Sequence, residues 1–260
     1  MNPPLVVSYG GGVNSTAMLI GMSERGITPD MILFADTGGE LPEVYTYREK
    51  FAVWLTERGM PMIETVSKPT TYLPDGTEYT TLEENCLVKK MLPSLAYGFK
   101  GCSLKYKRQE LDKRVNNWQP AKDCWARGEK VVRAIGYDFG EWHRKSIPED
   151  AKNTYIYPLR DWQWRRRDCE EAIQRAGLCV PPKSACFFCP AAKKREVIEL
   201  AKIHPDLFQR AVEIERNASG ALTTVKGLGR HWTWEGLVES DSEQQKMFRD
   251  PPDIPCECWD

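Results

Sequence analysis

Two segments of the chain carry residue types whose spacing could do chemistry. The first is Ser8-Tyr9-Gly10-Gly11-Gly12-Val13-Asn14-Ser15, set between an apolar run, Leu5 to Ser8, and a helical pattern from Ser15 to Arg25. Glycines at a strand-to-helix turn let backbone N–H groups approach an oxyanion, and the helix N-terminus adds the positive end of its dipole. Ser15 and Thr16 can add hydroxyl donors to the same phosphates. No Gly-Lys-Ser/Thr closes the segment, so it is not a Walker A loop, and it is not a clean G-x-G-x-x-G either. A purely structural turn is the competing reading. The second segment is Cys186-Phe187-Phe188-Cys189-Pro190, a C-x-x-C-P element just before a helical pattern. Two thiolates at this spacing can hold one metal centre, and a helix N-terminus lowers thiol pKa.

Cys102 lies between Gly101 and Ser103 and is followed by Lys105 and Lys107, an electropositive setting. Cys102, Cys186 and Cys189 together could hold an iron–sulfur cluster, which normally takes four thiolates; three would leave one iron open. Zinc on the same ligands and a reduced pair without metal are the alternatives. Cys86, Cys256 and Cys258 are the candidates for a fourth ligand. Cys169 shares a helical face with Ala172, Ile173 and Ala176 and reads as a small core residue, while Cys124 and Cys179 have no favoured partner spacing. Nine cysteines, an odd number, argue against a disulfide framework. Of the histidines, His143 neighbours Glu141 and Arg144, His204 precedes Pro205 at an expected helix end, and His231 is unplaced; none is assigned as a base. Asp161 to Trp164 and His231 to Trp234 are Trp-rich, suited either to stacking on bases or to packing.

The elements that must position these groups alternate. Leu5 to Ser8, Met31 to Ala35, Met62 to Val66 and Val131 to Ile135 read as strands, and Pro42 to Arg58 as a helix with Pro at its entry and Val44, Tyr47, Phe51, Trp54 and Leu55 on one face. Such alternation implies a parallel sheet covered on both faces. Lys68 to Thr81 reads as a mobile loop; Arg165 to Ala176, Ala191 to His204 and Pro205 to Ala218 read as helices. The expected division is an α/β core over 1–160, a helical portion over 161–248 carrying the C-x-x-C, and a Pro-rich tail over 249–260. Composition is that of a globular chain with net charge −1, so no global basic field announces nucleic acid. Lys105, Lys107 and Arg108 form a local candidate anion site; Arg165 to Arg167 reads first as a solvated helix face. No apolar run approaches the ~20 residues a bilayer span needs. Met1-Asn2-Pro3-Pro4 leads straight into a strand, so a cytoplasmic protein is expected, with no membrane partner.

Gly10-Gly11-Gly12-Val13-Asn14-Ser15 resembles the S-G-G-x-D-S signature of the PP-loop, or N-type, ATP pyrophosphatases, with glycine for the first serine and Asn14 for the aspartate. Downstream the chain is most similar to the phosphoadenosine phosphosulfate (PAPS) reductase branch. Asp36-Thr37-Gly38 and Pro42-Glu43 match its D-T-G and P-E; Gly101 to Lys105 resembles its C-[ST]-x-x-[LF]-K region with shortened spacing. Gly136, Glu141 and Arg144 resemble G-x(4)-E-x-x-R, Tyr157 to Trp162 resembles Y-P-[IL]-x-D-W, and Ser184 to Pro190 carries the C-x-x-C-P. The ordered motifs span about Leu5 to Asn217.

The resemblance implies an adenine nucleotide alpha hydrolase-like (Rossmann-like) fold with a helical C-terminal portion. It implies ATP with Mg²⁺ bound by Ser8, Gly10, Gly11, Gly12, Asn14, Ser15, Asp36, Thr37 and Gly38, and a [4Fe-4S] cluster, or zinc, on Cys102, Cys186 and Cys189. Arg144, Glu141 and Lys105 become the catalytic candidates, the two bases as charge-assisted donors to phosphate or sulfate. Asp36 to Gly38 falls at the carboxyl end of a strand, where open α/β sheets bind ligands; capping of the next helix is its other reading. Three functions follow. One is an adenylating enzyme that releases pyrophosphate and supports sulfur insertion into an acceptor, nucleic acid among the candidates, with a separate sulfur donor. Another is a sulfonucleotide reductase served by a thioredoxin-like reductant, in which a tail cysteine attacks sulfur. The third is a non-catalytic nucleotide-binding module.

Overall fold

The computed structural model describes residues 2–141, 144 and 146–249, with side chains through 242. The chain divides into two compact units, one of residues 1–82 and 101–186, the other of residues 83–100 and 187–260.

The first unit is a three-layer α/β/α sandwich. Its strands β1 (Leu5–Ser8), β2 (Met31–Asp36), β3 (Ile63–Ser67), β6 (Val131–Ile135) and β7 (Asn153–Ile156) form a five-stranded, all-parallel sheet in the order β3-β2-β1-β6-β7. Between β3 and β6 lies a separate antiparallel pair, β4 (Thr71–Tyr72) and β5 (Glu78–Tyr79). Strands β1 and β2 are apolar up to their last residues, Ser8 and Asp36, because both faces are covered, whereas β6 buries Arg133, which pairs with Asp112 at 3.3 Å. Val7, Ile32, Phe34 and Ala134 meet one layer, made of α1 (Val13–Glu24), α2 (Pro42–Thr56), α7 (Pro158–Asp161) and α8 (Arg166–Arg175). Val6, Met31, Leu33 and Val131 meet the other, where Val115 of α5 (Gln109–Asn116) and Ala121 and Cys124 of α6 (Gln119–Ala126) pack. Each core element is fixed by what it buries. In α2, Tyr47, Phe51 and Trp54 stack in sequence at helical spacing, with centroids 6.3 and 5.6 Å apart. In α8, Cys169 is fully buried beside Ala172 and Ile173, and burial pushes its thiol up to about 12. The exposed side of α8 carries Arg166–Glu170 and Arg167–Glu171 pairs at 2.6 and 2.7 Å, so the Arg run is a solvated face.

The chain leaves β1 through α1 to β2 on one side and later returns as β6 on the other. The strand order therefore reverses at β1, and the crevice at the carboxyl ends of β1 and β6 is the topological switch point.

Helices dominate the second unit. It holds most of α3 (Leu82–Val88), then α9 (Lys194–Ile203), α10 (Pro205–Ala218) and α11 (Trp234–Arg249). Arg210 of α10 forms a two-pronged ion pair with Glu83, one contact at 2.8 Å, and Asn217 donates to the Leu87 carbonyl at 2.6 Å. His204 ends α9 and opens α10: its N–H donates to Leu200 O at 2.8 Å, and its carbonyl accepts from Phe208 at 3.0 Å. Among the described residues no helix is long and apolar enough to cross a membrane.

Candidate functional site

The loop after β1 is anchored from below. Tyr9 donates its N–H to Leu33 O at 2.8 Å and stacks on Phe51 at 5.6 Å; burial pushes its hydroxyl up to about 12. Gly11 has φ +76°, a conformation that glycine alone adopts freely. Ser15 closes the loop: its Oγ accepts from the Gly10 N–H and its hydroxyl donates to Gly12 O, both at 3.1 Å. Thr16 makes the first helical bond, donating to Gly12 O at 3.1 Å. The amides of Gly11, Gly12, Val13, Asn14 and Ser15 have no acceptor among the described residues, and the helix has no side-chain cap. A helix N-terminus normally satisfies such donors with a cap, water or a ligand.

The loop after β6 presses onto this one. A Cβ on Gly136 would stand 3.1 Å from both N and Cα of Ser15, so only glycine fits without displacing backbone. That contact delivers two carboxylates to Asn14, whose Nδ2 donates to Asp138 Oδ2 at 2.9 Å and to Glu141 Oε2 at 3.1 Å. Asp138 is held by the N–H groups of Gly140 and Glu141 on Oδ1, at 2.7 and 3.0 Å. Glu141 Oε1 pairs with Arg144 Nε at 2.7 Å. Arg160 braces the same loop by donating to the carbonyls of Glu141 and Arg144, at 3.1 and 2.7 Å, while its guanidinium lies over Tyr137 and Tyr157. The two carboxylates fix which way the Asn14 amide points, because a flip would set oxygen against oxygen. Asn14 Oδ1 is left buried with no hydrogen-bond partner among the described residues.

The third segment follows β2. Asp36 Oδ1 accepts from Gly38 N–H and from Tyr45 OH, both at 2.8 Å. Helix α2 starts beyond Leu41 with no side-chain cap, so Asp36 is not its cap. Thr37 is buried, with Oγ1 3.1 Å from Cys186 Sγ. Glu40, 4% exposed, accepts from Lys107 Nζ at 2.8 Å, and its backbone bridges to Cys186. Ser184 Oγ stands 2.5 Å from Gly10 O and 3.1 Å from Glu40 Oε2. The segment carrying Cys186 is thus stitched to both the glycine loop and the Asp36–Gly38 turn.

Neither a family model nor a curated protein matches this chain. What the site can do rests on its own geometry.

The structure brings together Ser8, Gly10 to Ser15, Asp36 to Gly38, Glu141, Arg144 and Cys186. Cys102 sits half-buried in α4 (Gly101–Ser103), which runs into a π-helical turn, Leu104–Arg108. Lys105 is exposed on that turn and makes no ion pair among the described residues. Cys189 belongs to the second unit, Cys86 is buried in α3, and Cys256, Cys258 and His143 lie outside the described residues. Among the described residues no three His, Cys, Asp or Glu side chains converge as a metal site. Cys102 and Cys186 lie in the first unit and Cys189 in the second, and no chemical step is routed through a centre on the three. A Mg²⁺ ion fits the donor chemistry: Asn14 Oδ1, without a partner among the described residues, and the carboxylates of Asp138 and Glu141 that hold the same amide through Nδ2 are hard oxygen donors.

Sequence reasoning missed Glu40, Asp138 and Arg160. Each lies inside or beside a motif already singled out, D-T-G-G-E, G-Y-D and Y-P-L-R, but its role depends on a distant partner. Trp162 and Trp164 pack edge to face, 5.3 Å apart, against the core beside α1, with Arg25 over both rings. Of the two readings of that stretch, packing is the one observed.

Proposed function

We propose that this chain is a PAPS reductase-like PP-loop protein of the adenine nucleotide alpha hydrolase-like fold that binds ATP and adenylates an acceptor with release of pyrophosphate. The observation that carries the reading is the run of open amides from Gly11 to Ser15 at the switch point of a parallel sheet. Consecutive N–H groups at a helix N-terminus suit a polyphosphate, and no side chain of this loop competes for them. Asp36, with Oδ2 unpartnered among the described residues, lies at the neighbouring strand end, where it would accept from ribose or adenine.

In the proposed reaction an acceptor nucleophile attacks the α-phosphorus. The bond to the bridging oxygen breaks, and that electron pair leaves with pyrophosphate. The loop amides hold the developing charge on the leaving group. Arg144, half-exposed, paired with Glu141 and lying over the Tyr137 ring, would swing onto an anion, while Arg160 and Gly136 keep its loop in register. Mg²⁺, held by Asn14 and the Asp138–Glu141 pair, would supply further neutralisation of the phosphates. A cluster on Cys102, Cys186 and Cys189 belongs to the same proposal; of these ligands Cys186 is seated beside Thr37, with Sγ 3.1 Å from Oγ1.

Anaerobically prepared protein incubated with ATP and Mg²⁺ is expected to release pyrophosphate. Sulfite from PAPS plus a thioredoxin-like reductant, without pyrophosphate from ATP, would replace this reading with sulfonucleotide reduction. Tight binding without turnover would leave a nucleotide-binding module.

A further inference from the structure

A second site candidate lies wholly within the second unit. A groove of about 620 Å³ is lined by Lys194 of α9, Lys226, His231 and Trp232 of the preceding loop, and Leu237 and Asp241 of α11. The loop is built rather than loose. Glu215 of α10, only 5% exposed, accepts from the Leu228 N–H at 2.6 Å and from the Trp234 N–H at 2.9 Å. Lys226 N–H donates to Arg230 O at 2.6 Å, and Arg230 is held at φ +65°, a conformation that costs a side-chain-bearing residue about 1 kcal/mol or more. A Cβ on Gly229 would stand 2.3 Å from the Trp232 indole, so the ring lies directly on bare backbone there. The indole is half-buried at the groove, with Lys194 Nζ 5.7 Å from its centroid.

Among the described residues Lys194, Lys226 and His231 have no carboxylate partner, although Asp241 lines the same groove. A fixed aromatic face beside two lysines and a histidine without carboxylate partners among the described residues matches an unstacked base with phosphates on either side. A duplex would offer no free base face, and an acidic peptide would use the cations without needing the indole.

We infer that this groove binds single-stranded nucleic acid, with one base stacked on Trp232 and flanking phosphates at Lys194, Lys226 and His231. The inference is independent of the ATP reaction, and its test reads binding alone. Fluorescence anisotropy with a labelled oligothymidylate of about a dozen nucleotides, matched to the known range of site sizes, measures affinity against salt. Affinity falls with rising salt, with a log–log slope of about −0.7 per phosphate neutralised. Trp232→Ala weakens binding roughly 5- to 100-fold, whereas Trp232→Phe keeps most of it. The Lys194→Ala/Lys226→Ala double variant lowers the salt slope and decides the matter should Trp232→Ala fail to fold. No binding by the native chain overturns the inference. So do equal affinity of a folded Trp232→Ala variant, an unchanged slope in the double variant, or equal competition by polyglutamate.

Discussion

Asn14 stands where the resembling signature has aspartate, and its surroundings give the exchange a measurable consequence. Asn14→Asp would place a third carboxylate about 3 Å from those of Asp138 and Glu141, where Nδ2 now donates at 2.9 and 3.1 Å. At an effective dielectric near 20, each such contact costs up to about 5 kcal/mol if all three groups are ionised. The variant has a cheaper way out, which is to bind a proton. Holding an aspartic acid of ordinary pKa protonated at pH 7 costs about 4 kcal/mol, which caps the penalty, and the protonated group restores one of the two hydrogen bonds. A loss of about 4 kcal/mol should lower Tm by roughly 8–16 °C in a chain of this size. The sign follows from linkage: the folded variant binds more protons than its unfolded chain, so its stability rises as pH falls from 7 towards about 4, at ~1.4 kcal/mol per unit. Mg²⁺ should offer the same relief at neutral pH. Urea unfolding followed by circular dichroism, from pH 5 to 8, with chelator or with Mg²⁺, measures all of this. Asn14→Ala is the control: it loses the donor without adding charge, so it should lack the extra pH dependence. Equal stability of Asn14→Asp and the native chain at pH 7 in chelator would refute the reasoning.

Ser15→Ala removes the hydroxyl that bridges Gly10 N–H to Gly12 O; with Gly10 exposed to water and Gly12 O still bonded to Thr16, stability should fall by only ~0.5–1.5 kcal/mol. ATP affinity should fall about tenfold by calorimetry, a neutral bond being exchanged for a stronger one to phosphate, and an unchanged value would sink the loop assignment. Arg144→Ala should lower nucleotide turnover while leaving any bound iron in place, as read by pyrophosphate release and metal analysis of the same sample. Cys102, Cys186 or Cys189→Ala should each strip most iron and sulfide from anaerobically purified protein, with Cys169→Ala retaining it; stoichiometric zinc in the native chain would point to a structural metal instead. Burial raises Cys169 from 9.0 to about 12, so folding stability should decline between those pH values and the decline should be shallower in Cys169→Ala, checked by urea unfolding.

The parts legible in the sequence are those whose physics is local. Met31 to Asp36 announces itself because a strand buried on both faces must be apolar throughout, and Tyr47, Phe51 and Trp54 because one helix face must be. Strand β7 went unread for the opposite reason: at the sheet edge, Asn153-Thr154-Tyr155-Ile156 is half-buried and alternates too briefly to show a period. Helix α5 buries only Glu110 and Val115, so its pattern resembles a solvated loop. The stretch Lys68 to Thr81, expected as a mobile loop, contains the β4–β5 hairpin. Its turn has a local cause in Pro74-Asp75-Gly76, with Asp75 Oδ1 accepting from Thr77 N–H at 2.9 Å. In the site, glycines and Asp36 were visible at strand ends, but the Asn14–Asp138 contact joins residues 124 apart, and no window along the chain contains both.

The same long-range contact explains the charge layout at the switch point. A glycine loop alone presents only donors, and a bare run of amides would favour any small anion. Here the loop after β6 sets Asp138 and Glu141 behind Asn14, so carboxylates stand beside amides rather than in front of them. Asn14 separates the two regions: its Nδ2 neutralises part of the carboxylate repulsion, and its Oδ1, without a partner among the described residues, remains as an acceptor. A simple anion would gain from the amides but be repelled by the carboxylates. A dication–polyphosphate pair gains from both, since the metal meets oxygen donors while the phosphates meet N–H groups. On the proposed reading the arrangement would therefore favour a metal-bound nucleotide over free phosphate or sulfate, and the close approach that creates it depends on the absence of a side chain at Gly136.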